Sequence, residues 1–232
     1  MKKVSAIIVA GGSGTRMGAA VPKQFLPLEE GRTILETTLR RFLAALPEGE
    51  IVVVLPPAET DRWREICRLR GLTETHRLCT GGATRFESVR NGIAALGDCE
   101  YIAVHDGVRP LVSEALIRTC IATAQRHGTA VPAVRPVDPF RSVVAGETSE
   151  PADRETLRAV QTPQVFRADL LRNAYRAAYR PEFTDDASVV EAAGERVMLC
   201  EGDRANLKIT SPEDLVVARA LLEIEKQKTI TT

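Results

Sequence analysis

The 232-residue chain lacks a net charge, a cysteine spacing typical of metal sites and a long apolar run. Lys and Arg together number 31, as do Asp and Glu, so no overall field favours nucleic acid or an anionic membrane. The five cysteines include no C-x-x-C pair, which indicates reduced thiols and predicts a cytoplasmic location. No apolar run is long enough to span a bilayer or to build a signal peptide. An anionic ligand must therefore be held by a local cluster of cations.

The chain does contain a regular alternation of apolar, strand-like runs with amphipathic segments. Apolar residues recur with helical spacing over 35–46 and 86–96. Capping boxes are predicted at both helix starts: Thr33 with Glu36, and Thr84 with Glu87. The strand-like runs are Val4–Ala10, Ile51–Leu55, Arg77–Cys79, Tyr101–Val104, Ala130–Val134 and Val197–Cys200. This alternation predicts a single α/β domain over residues 1–232, with a doubly wound, mainly parallel sheet that binds ligands at the carboxyl ends of its strands.

One region, Arg135–Gln164, interrupts the alternation. It contains four prolines and shows no helical period. Phe140–Val144 and Thr156–Val160 are interpreted as two extended pieces joined by a turn at 145–147. We predict that this region, over about 136–163, forms an extended β-arm that leaves the main sheet.

The stretch VAGGSGTRMGAAVPKQF, Val9 to Phe25, places three glycines directly after a strand. It is not a dinucleotide fingerprint, because Met17 stands at the third glycine position and the second strand is followed by no acidic residue for a ribose. The spacing of a P-loop also fails. Backbone amides of the glycines, flanked by Arg16 and Lys23, predict a phosphate-binding loop, with a plain tight turn as the alternative.

Polar residues follow later strands as well. Asp106, in VHDGVRP, suits Mg²⁺, which takes one or two carboxylates together with substrate phosphates, although a turn aspartate has the same signature. His105 is interpreted as a core histidine or as support for the site. Lys208 alone is typical of a solvated lysine, and the pair Asp185–Asp186 is typical of a helix cap.

A set of segments, in this order, resembles the 2-C-methyl-D-erythritol 4-phosphate cytidylyltransferases: AGGSGTRMG, PKQF, GGATRFESV, VHDGVRP, DRETLRAVQTPQ, TDDAS and NLKITSPEDL. The resemblance extends from about Val4 to Leu215. It implies a Rossmann-like nucleotidyltransferase fold that joins CTP to a polyol phosphate. It also implies a homodimer in which the β-arm reaches the neighbouring active site.

The resemblance further implies a role for each group of residues. Two cations would be catalytic and would neutralise the α-phosphate: Arg16 and Lys23. The nucleotide would contact Ala10, Gly11, Gly12, Ser13, Gly14, Thr15, Gly82 and Ser88. Mg²⁺, or another hard divalent cation, would bind Asp106. The acceptor phosphate would be held by Arg109, Arg154, Thr162 and Lys208, with Arg154 acting either in its own subunit or in the neighbour.

Two positions depart from the family pattern. Pro139 stands where the family has a threonine that contacts the acceptor, and proline offers neither a hydroxyl nor an amide proton. Ala83 replaces a usual acidic residue. The alternatives are a cytidylyltransferase for ribitol 5-phosphate or a similar pentitol phosphate, a nicotinamide-dependent oxidoreductase, and a non-catalytic nucleotide-binding module. The lack of a Ser/His/Asp or Cys/His constellation favours nucleotidyl transfer over hydrolysis.

Overall fold

The computed structural model describes residues 3–11, 21–146 and 148–230. The strands in these ranges are β1 Val4–Val9, β2 Pro27–Glu29, β3 Arg32–Thr33, β4 Ile51–Leu55, β5 Arg77–Thr80, β6 Tyr101–Asp106, β7 Thr129–Val134, β8 Phe140–Ala145, β9 Thr148–Ala152, β10 Ala159–Val160, β11 Gln164–Arg167 and β12 Leu199–Glu201. The α-helices are α1 Ile34–Ala45, α2 Thr60–Arg70, α3 Arg85–Ala95, α4 Glu114–His127, α5 Ala168–Ala174, α6 Asp186–Ala192 and α7 Pro212–Ile230. None of the described helices combines the length and the apolarity needed to cross a membrane.

The central sheet has eight strands in the order β10-β7-β11-β6-β1-β4-β5, with β12 also paired to β7. β1 runs parallel to β4 and β6, β4 is parallel to β5, and β12 is parallel to β7. Two strands are antiparallel: β11 lies between β6 and β7, and β10 pairs with β7. The predicted α/β fold with a mainly parallel sheet is confirmed, whereas the antiparallel β11 was not predicted.

Successive residues of the central strands pack on opposite faces of the sheet, because side chains alternate along a strand. Ala6, Ile8 and Val53 belong to a core formed with α1, α2 and α4. Ile7 and Val52 belong to a second core, formed with α3, α5 and α6. Helices therefore cover both faces, as the doubly wound prediction requires.

The two predicted capping boxes differ in the structure. At the start of α3 the box is complete, since Thr84 Oγ1 accepts from the Glu87 amide at 3.1 Å and the Glu87 carboxylate accepts from the Thr84 amide at 3.0 Å. At α1 only half of it forms: Thr33 caps the Glu36 amide. The Glu36 side chain is buried and instead pairs with Arg40 at 3.0 Å. The capping box predicted at α1 was therefore wrong in its acidic half, Glu36.

The β-arm is present, but its second strand is not the predicted one. β8 pairs antiparallel with β9 in a two-stranded hairpin that is separate from the main sheet. The prediction of Thr156–Val160 as the returning strand was wrong. Thr156 lies in a turn, where its amide donates to the Asp153 carbonyl, and Val160 pairs with Ala133 of β7. The chain has thus rejoined the main sheet by residue 159, before the predicted limit of 163.

A partly buried polar contact links α2 to the segment that leads into β5. Trp63 Nε1 donates to His76 Nε2 at 2.9 Å, and Nδ1 of the same ring lies 3.1 Å from the Thr75 hydroxyl. Because that hydroxyl donates to the Leu72 carbonyl, Nδ1 carries the imidazole proton and donates to Thr75. Burial lowers the pKa of His76 to about 4, so the ring is neutral at pH 7.

Acid is therefore expected to destabilise the fold through His76. In the unfolded chain this ring binds a proton near pH 6.5, but in the folded state it does so only near pH 4. The stabilisation is complete above pH 6.5 and is lost as the pH falls toward 4, by up to about 1.4 kcal/mol per pH unit. Urea unfolding at pH 7 and pH 5, followed by Trp63 fluorescence, measures the loss. His76→Gln should lose less stability over this interval, and an equal loss would contradict the assignment.

Candidate active site

Two cavities open at the carboxyl ends of β1 and β6, where doubly wound sheets bind ligands. The first, of about 430 Å³, is lined by residues that include Ala10, Gly11, Lys23, Gly82 and Ser88. The second, of about 280 Å³, is lined by residues that include Arg109, Gln161, Thr162 and Thr184. The two cavities share three residues: Arg85, Asp106 and Lys208. Predicted nucleotide residues thus line one cavity and most predicted acceptor residues line the other.

The predicted phosphate loop is described only at its two ends. Gly12, Ser13, Gly14, Thr15 and Arg16 lie outside the described residues. On the far side of the loop, Lys23 begins a short 3-10 helix that ends at Phe25. The next residue, Gln24, is buried and donates to the Ala10 carbonyl at 3.0 Å. This bond ties the segment that carries Lys23 to the end of β1.

The second glycine pair is shaped by Ser88. Its hydroxyl accepts from the Gly82 amide at 3.1 Å and donates to the Thr84 carbonyl at 2.9 Å. A Cβ atom at Gly82 would lie only 2.3 Å from Cβ of Glu87, so no larger residue fits without movement of the backbone. Ser88 therefore holds the turn that forms one wall of the first cavity.

Asp106, the last residue of β6, is the carboxylate at the centre of the site. Its Oδ2 lies 3.0 Å from Lys208 Nζ and 3.3 Å from Arg109 Nε, and its Oδ1 lies 3.6 Å from Arg85 Nε. Burial opposes ionisation of this carboxyl, but the three cations outweigh it and hold its pKa well below the usual range. Asp106 is consequently ionised throughout the physiological pH range. Lys208 is 43% exposed, in agreement with its interpretation as a solvated lysine, and it also belongs to this cluster.

Arg85 and Asp186 are site residues that the sequence reasoning missed. The guanidinium of Arg85 donates to both carboxylate oxygens of Asp186, at 3.1 and 2.7 Å. The predicted helix cap is confirmed at Asp185, whose side chain accepts from the Ser188 amide. Asp186, by contrast, is fully buried, and its carboxylate binds Arg85. Arg85 stands within the quoted segment GGATRFESV, but its partner is 101 residues away, and no local pattern reports such a contact.

Thr162 and His105 support Asp106 from behind. The Asp106 amide donates to Thr162 Oγ1 at 3.1 Å, and that hydroxyl lies 3.0 Å from His105 Nδ1. His105 Nε2 lies 3.2 Å from the Arg109 carbonyl, which can only accept, so Nε2 carries the proton and Nδ1 accepts from Thr162. Burial lowers the pKa of His105 to about 3, in agreement with a neutral ring. His105 is the buried, supporting histidine that was predicted.

Arg109 is fixed from the opposite side. Its Nη1 donates to the carbonyl of Asn206 at 2.8 Å, and the Asn206 side chain in turn donates to the Thr162 carbonyl.

Arg154 is placed differently from the other predicted acceptor residues. It lies on the β-arm with its side chain about half exposed (54%), and it lines neither of the two cavities.

The described side chains restrict how a metal ion could be held. In residues 3–11, 21–146 and 148–230, no group of three or more His, Cys, Asp or Glu residues could hold a metal ion. Among the described residues, however, no hydrogen bond to Asp106 Oδ1 is found, and the Arg85 Nε atom that pairs with this oxygen lies 3.6 Å away. One ionised carboxylate with an open oxygen fits Mg²⁺ that is completed by substrate phosphates and water.

A further cleft, of about 560 Å³, lies between α1 and α7, and none of the predicted site residues lines it. Its charged side chains are engaged in ion pairs, as in Arg41 with Glu225 and Lys226 with Glu29. This cleft is an ion-paired surface groove and does not contribute to the site.

Comparison with known proteins identifies the family. The family model described as 2-C-methyl-D-erythritol 4-phosphate cytidylyltransferase matches residues 4–224. The chain belongs to this family. A relative of that name from Bacteroides fragilis is 46% identical over 218 residues, covering 94% of this chain and 99% of the relative. A second, from Bacteroides thetaiotaomicron, is 46% identical and covers 95% of this chain and 100% of the relative.

Solved structures agree with the family assignment. The crystal structure of 2-C-methyl-D-erythritol 4-phosphate cytidylyltransferase from Thermus thermophilus is 36% identical, with a TM-score of 0.76, and covers 96% of this chain and all of that one. That of 4-diphosphocytidyl-2C-methyl-D-erythritol synthase from Anaerococcus prevotii is 29% identical, with a TM-score of 0.81, and covers 96% of both chains. The resemblance drawn from the motifs is confirmed, and with it the classification as a nucleotidyltransferase. Neither the pentitol alternative nor the oxidoreductase is favoured.

Proposed function

We propose that the protein joins CTP and 2-C-methyl-D-erythritol 4-phosphate to give 4-diphosphocytidyl-2-C-methyl-D-erythritol and pyrophosphate. Family membership and the names of its relatives support the two substrates. The single structural observation that carries the proposal is the pair of cavities that meet at Arg85, Asp106 and Lys208. Two phosphate-bearing substrates held in adjoining cavities would bring their reacting phosphates together there.

The transfer needs alignment and charge neutralisation more than covalent help from the protein. An oxygen of the acceptor phosphate forms a bond to the α-phosphorus of CTP. The bond from that phosphorus to the bridging oxygen breaks, and its electron pair leaves with pyrophosphate. The acceptor phosphate is already ionised at pH 7, so no general base is required. The neutral, buried His105, with both ring nitrogens hydrogen bonded, is consistent with this chemistry.

The charged residues of the site would stabilise or orient the different phosphate groups. Lys23 and Arg16 would neutralise the α-phosphate as it becomes five-coordinate. Arg109 lines the second cavity and Lys208 lines both, and these two cations would orient the acceptor phosphate. Bound Mg²⁺, held by Asp106, would supply charge neutralisation to the phosphates of the nucleotide.

We also propose a homodimer formed through the β-arm. On this arm Val137, Phe140, Val143 and Val144 are exposed, at 65, 48, 74 and 62%. A two-stranded hairpin is marginal alone in water, and these side chains need an apolar surface to cover. A second copy of the arm, related by a two-fold axis, supplies one. Arg154 would then enter the neighbour's site.

A cytoplasmic location is proposed from the cysteines. All five are free in the structure, and the sequence contains no C-x-x-C pair. An odd number of cysteines without metal spacing is typical of reduced thiols in a reducing compartment.

A pyrophosphate-release assay with CTP tests the reaction and the acceptor together. We expect release with 2-C-methyl-D-erythritol 4-phosphate and little with ribitol 5-phosphate at the same concentration. Release with the pentitol phosphate alone would assign the other acceptor and give Pro139 a role in that choice. Failure to release pyrophosphate with either acceptor would overturn the proposed reaction.

Gly82→Ala should weaken CTP use specifically. The added Cβ would collide with Glu87 and push the turn away from Ser88, and overpacking of this kind costs about 1–3 kcal/mol. We expect the KM for CTP to rise about tenfold or more, with the KM for the acceptor nearly unchanged. Gly97→Ala is the matched control, since its Cβ would meet only the end of the Glu50 side chain, away from both cavities. A normal KM for CTP in Gly82→Ala would remove this turn from the nucleotide site.

A further inference from the structure

Arg85 forms part of both cavities and lies between two carboxylates. Its Nη atoms face Asp186, and its Nε faces Asp106 at 3.6 Å. The side chain is 30% exposed, so a cation accessible to ligands is present at the junction of the two cavities. The proposed reaction gives Arg85 no role, and the arrangement of its two partners suggests one.

Asp186 holds the guanidinium in a fixed orientation. Its carboxylate is fully buried and accepts from both Nη atoms of Arg85 in a fork, which is a strong and directional geometry. The Tyr175 hydroxyl adds a third hydrogen bond to Asp186, at 2.6 Å. Tyr175 is itself buried and its ring stacks on Phe86, next to Arg85 in α3. The Arg85–Asp186 pair, which we call the clamp, is therefore packed against the body of the protein at both ends.

The clamp has a consequence for the two oxygens of Asp106. Among the described residues, Oδ2 pairs with Lys208 and Arg109, whereas Oδ1 pairs with Arg85 Nε, at a distance too long for a hydrogen bond. Arg85 thus contributes positive charge near Asp106 without covering Oδ1. Without Asp186, the nearest carboxylate to the Arg85 guanidinium is Asp106, and a fork onto Asp106 would cover Oδ1.

We propose that Asp186 is a positioning residue, which holds the Arg85 guanidinium away from Asp106 and so keeps Oδ1 open to a divalent cation bound with the nucleotide. The proposal rests on the proposed function, because that function supplies the nucleotide and the metal. A purely structural role for Asp186, as a bond between α3 and α6, makes a different prediction. In that case loss of Asp186 lowers stability but leaves metal binding alone, and removal of Arg85 as well brings no recovery.

The test titrates Mn²⁺ into the full-length protein with CTP present, and follows free Mn²⁺ by its paramagnetic signal. Asp186→Asn is expected to raise the half-saturating Mn²⁺ concentration about tenfold, as loss of an outer partner of a metal ligand does. The double variant Arg85→Gln with Asp186→Asn cannot cover Oδ1, and it should return to within about threefold of the wild type. Glu36→Gln is the matched control, because it also removes a buried carboxylate from an arginine pair, and it should titrate like the wild type.

The outcomes separate this proposal from the proposed function. A wild type that binds no Mn²⁺ with CTP overturns both. A wild type that binds Mn²⁺, with Asp186→Asn unchanged or with the double variant as weak as Asp186→Asn, overturns the positioning role alone. If thermal melting shows that Asp186→Asn does not fold, Tyr175→Phe serves instead, since it removes one hydrogen bond from the same clamp. It should raise the Mn²⁺ requirement about threefold, and an unchanged requirement overturns the role.

Discussion

Asp106→Asn is expected to lower kcat for pyrophosphate release by about 10²–10³-fold, the usual cost of removing one electrostatic group from an active site. CTP binding without metal should be as tight as in the wild type, or tighter. The reason is the local balance of charge. In the free protein the Asp106 carboxylate is surrounded by Arg85, Arg109 and Lys208, and Asp186 is the other carboxylate within this cluster.

Three cations against two carboxylates repel a divalent cation that arrives alone. The triphosphate of CTP brings negative charge, so metal and nucleotide should bind together. In Asp106→Asn the three cations lose an internal counter-charge, which favours phosphates while the metal loses its carboxylate. The change thus separates binding of the nucleotide from its reaction.

Two measurements check this expectation. Calorimetry with CTP in the presence of a chelator gives the metal-free affinity, and a Mg²⁺ titration of kcat gives the metal requirement. Lys208→Ala provides a comparison, because it removes a cation from the same carboxylate and should weaken metal-free CTP binding instead. An Asp106→Asn protein with the wild-type Mg²⁺ requirement would exclude Asp106 as the metal ligand.

The sheet could be predicted from the sequence because its central strands are buried on both faces. Ile51–Leu55 is a continuous apolar run with the same bounds in the structure. β11 escaped prediction because Gln164–Arg167 has only two apolar residues and follows a proline-rich region. The returning strand of the arm escaped for a related reason: Thr148–Ala152 is polar and includes Pro151, so only its pairing with β8 makes it a strand.

The sequence predicted those site residues that lie in loops at the carboxyl ends of strands. Asp106 ends β6, while Gly82 and Lys208 follow β5 and β12 of the same sheet, and the topology brings the three to one edge. The contacts that fix their orientation join distant parts of the chain, as Arg85 joins Asp186. Such contacts depend on how α3 and α6 pack against each other. The hydrophobic periodicity of a single segment does not predict that packing.

Mixing two inactive proteins, Lys23→Ala and Arg154→Ala, is expected to restore activity to roughly a quarter of wild type if the arm donates Arg154 in trans. Lys23 lines the nucleotide cavity of its own subunit, whereas Arg154 lies on the arm and lines neither cavity. In a mixed dimer, one site has its own intact Lys23 and receives an intact Arg154 from the partner. Random exchange places one such site in half of the dimers.

Two controls sharpen this experiment. Mixing Lys23→Ala with Asp106→Asn should restore nothing, because both residues line the same cavity of one subunit and every mixed site keeps one lesion. Arg141→Ala should be active without mixing, since this arm arginine is engaged within the hairpin, where it donates to Ser149.

The subunits must be shown to exchange before the result is interpreted, for example by mass analysis of one tagged and one untagged protein. Arg154→Ala alone should raise the KM for the acceptor far above the concentration used in the assay, so that it is inactive there, and should leave CTP binding nearly intact, because its charge would position the attacking phosphate. Recovery then locates the acceptor site between two subunits and explains why the β-arm carries an exposed arginine just after β9. Verified exchange without recovery would place Arg154 in its own subunit's site or outside the reaction.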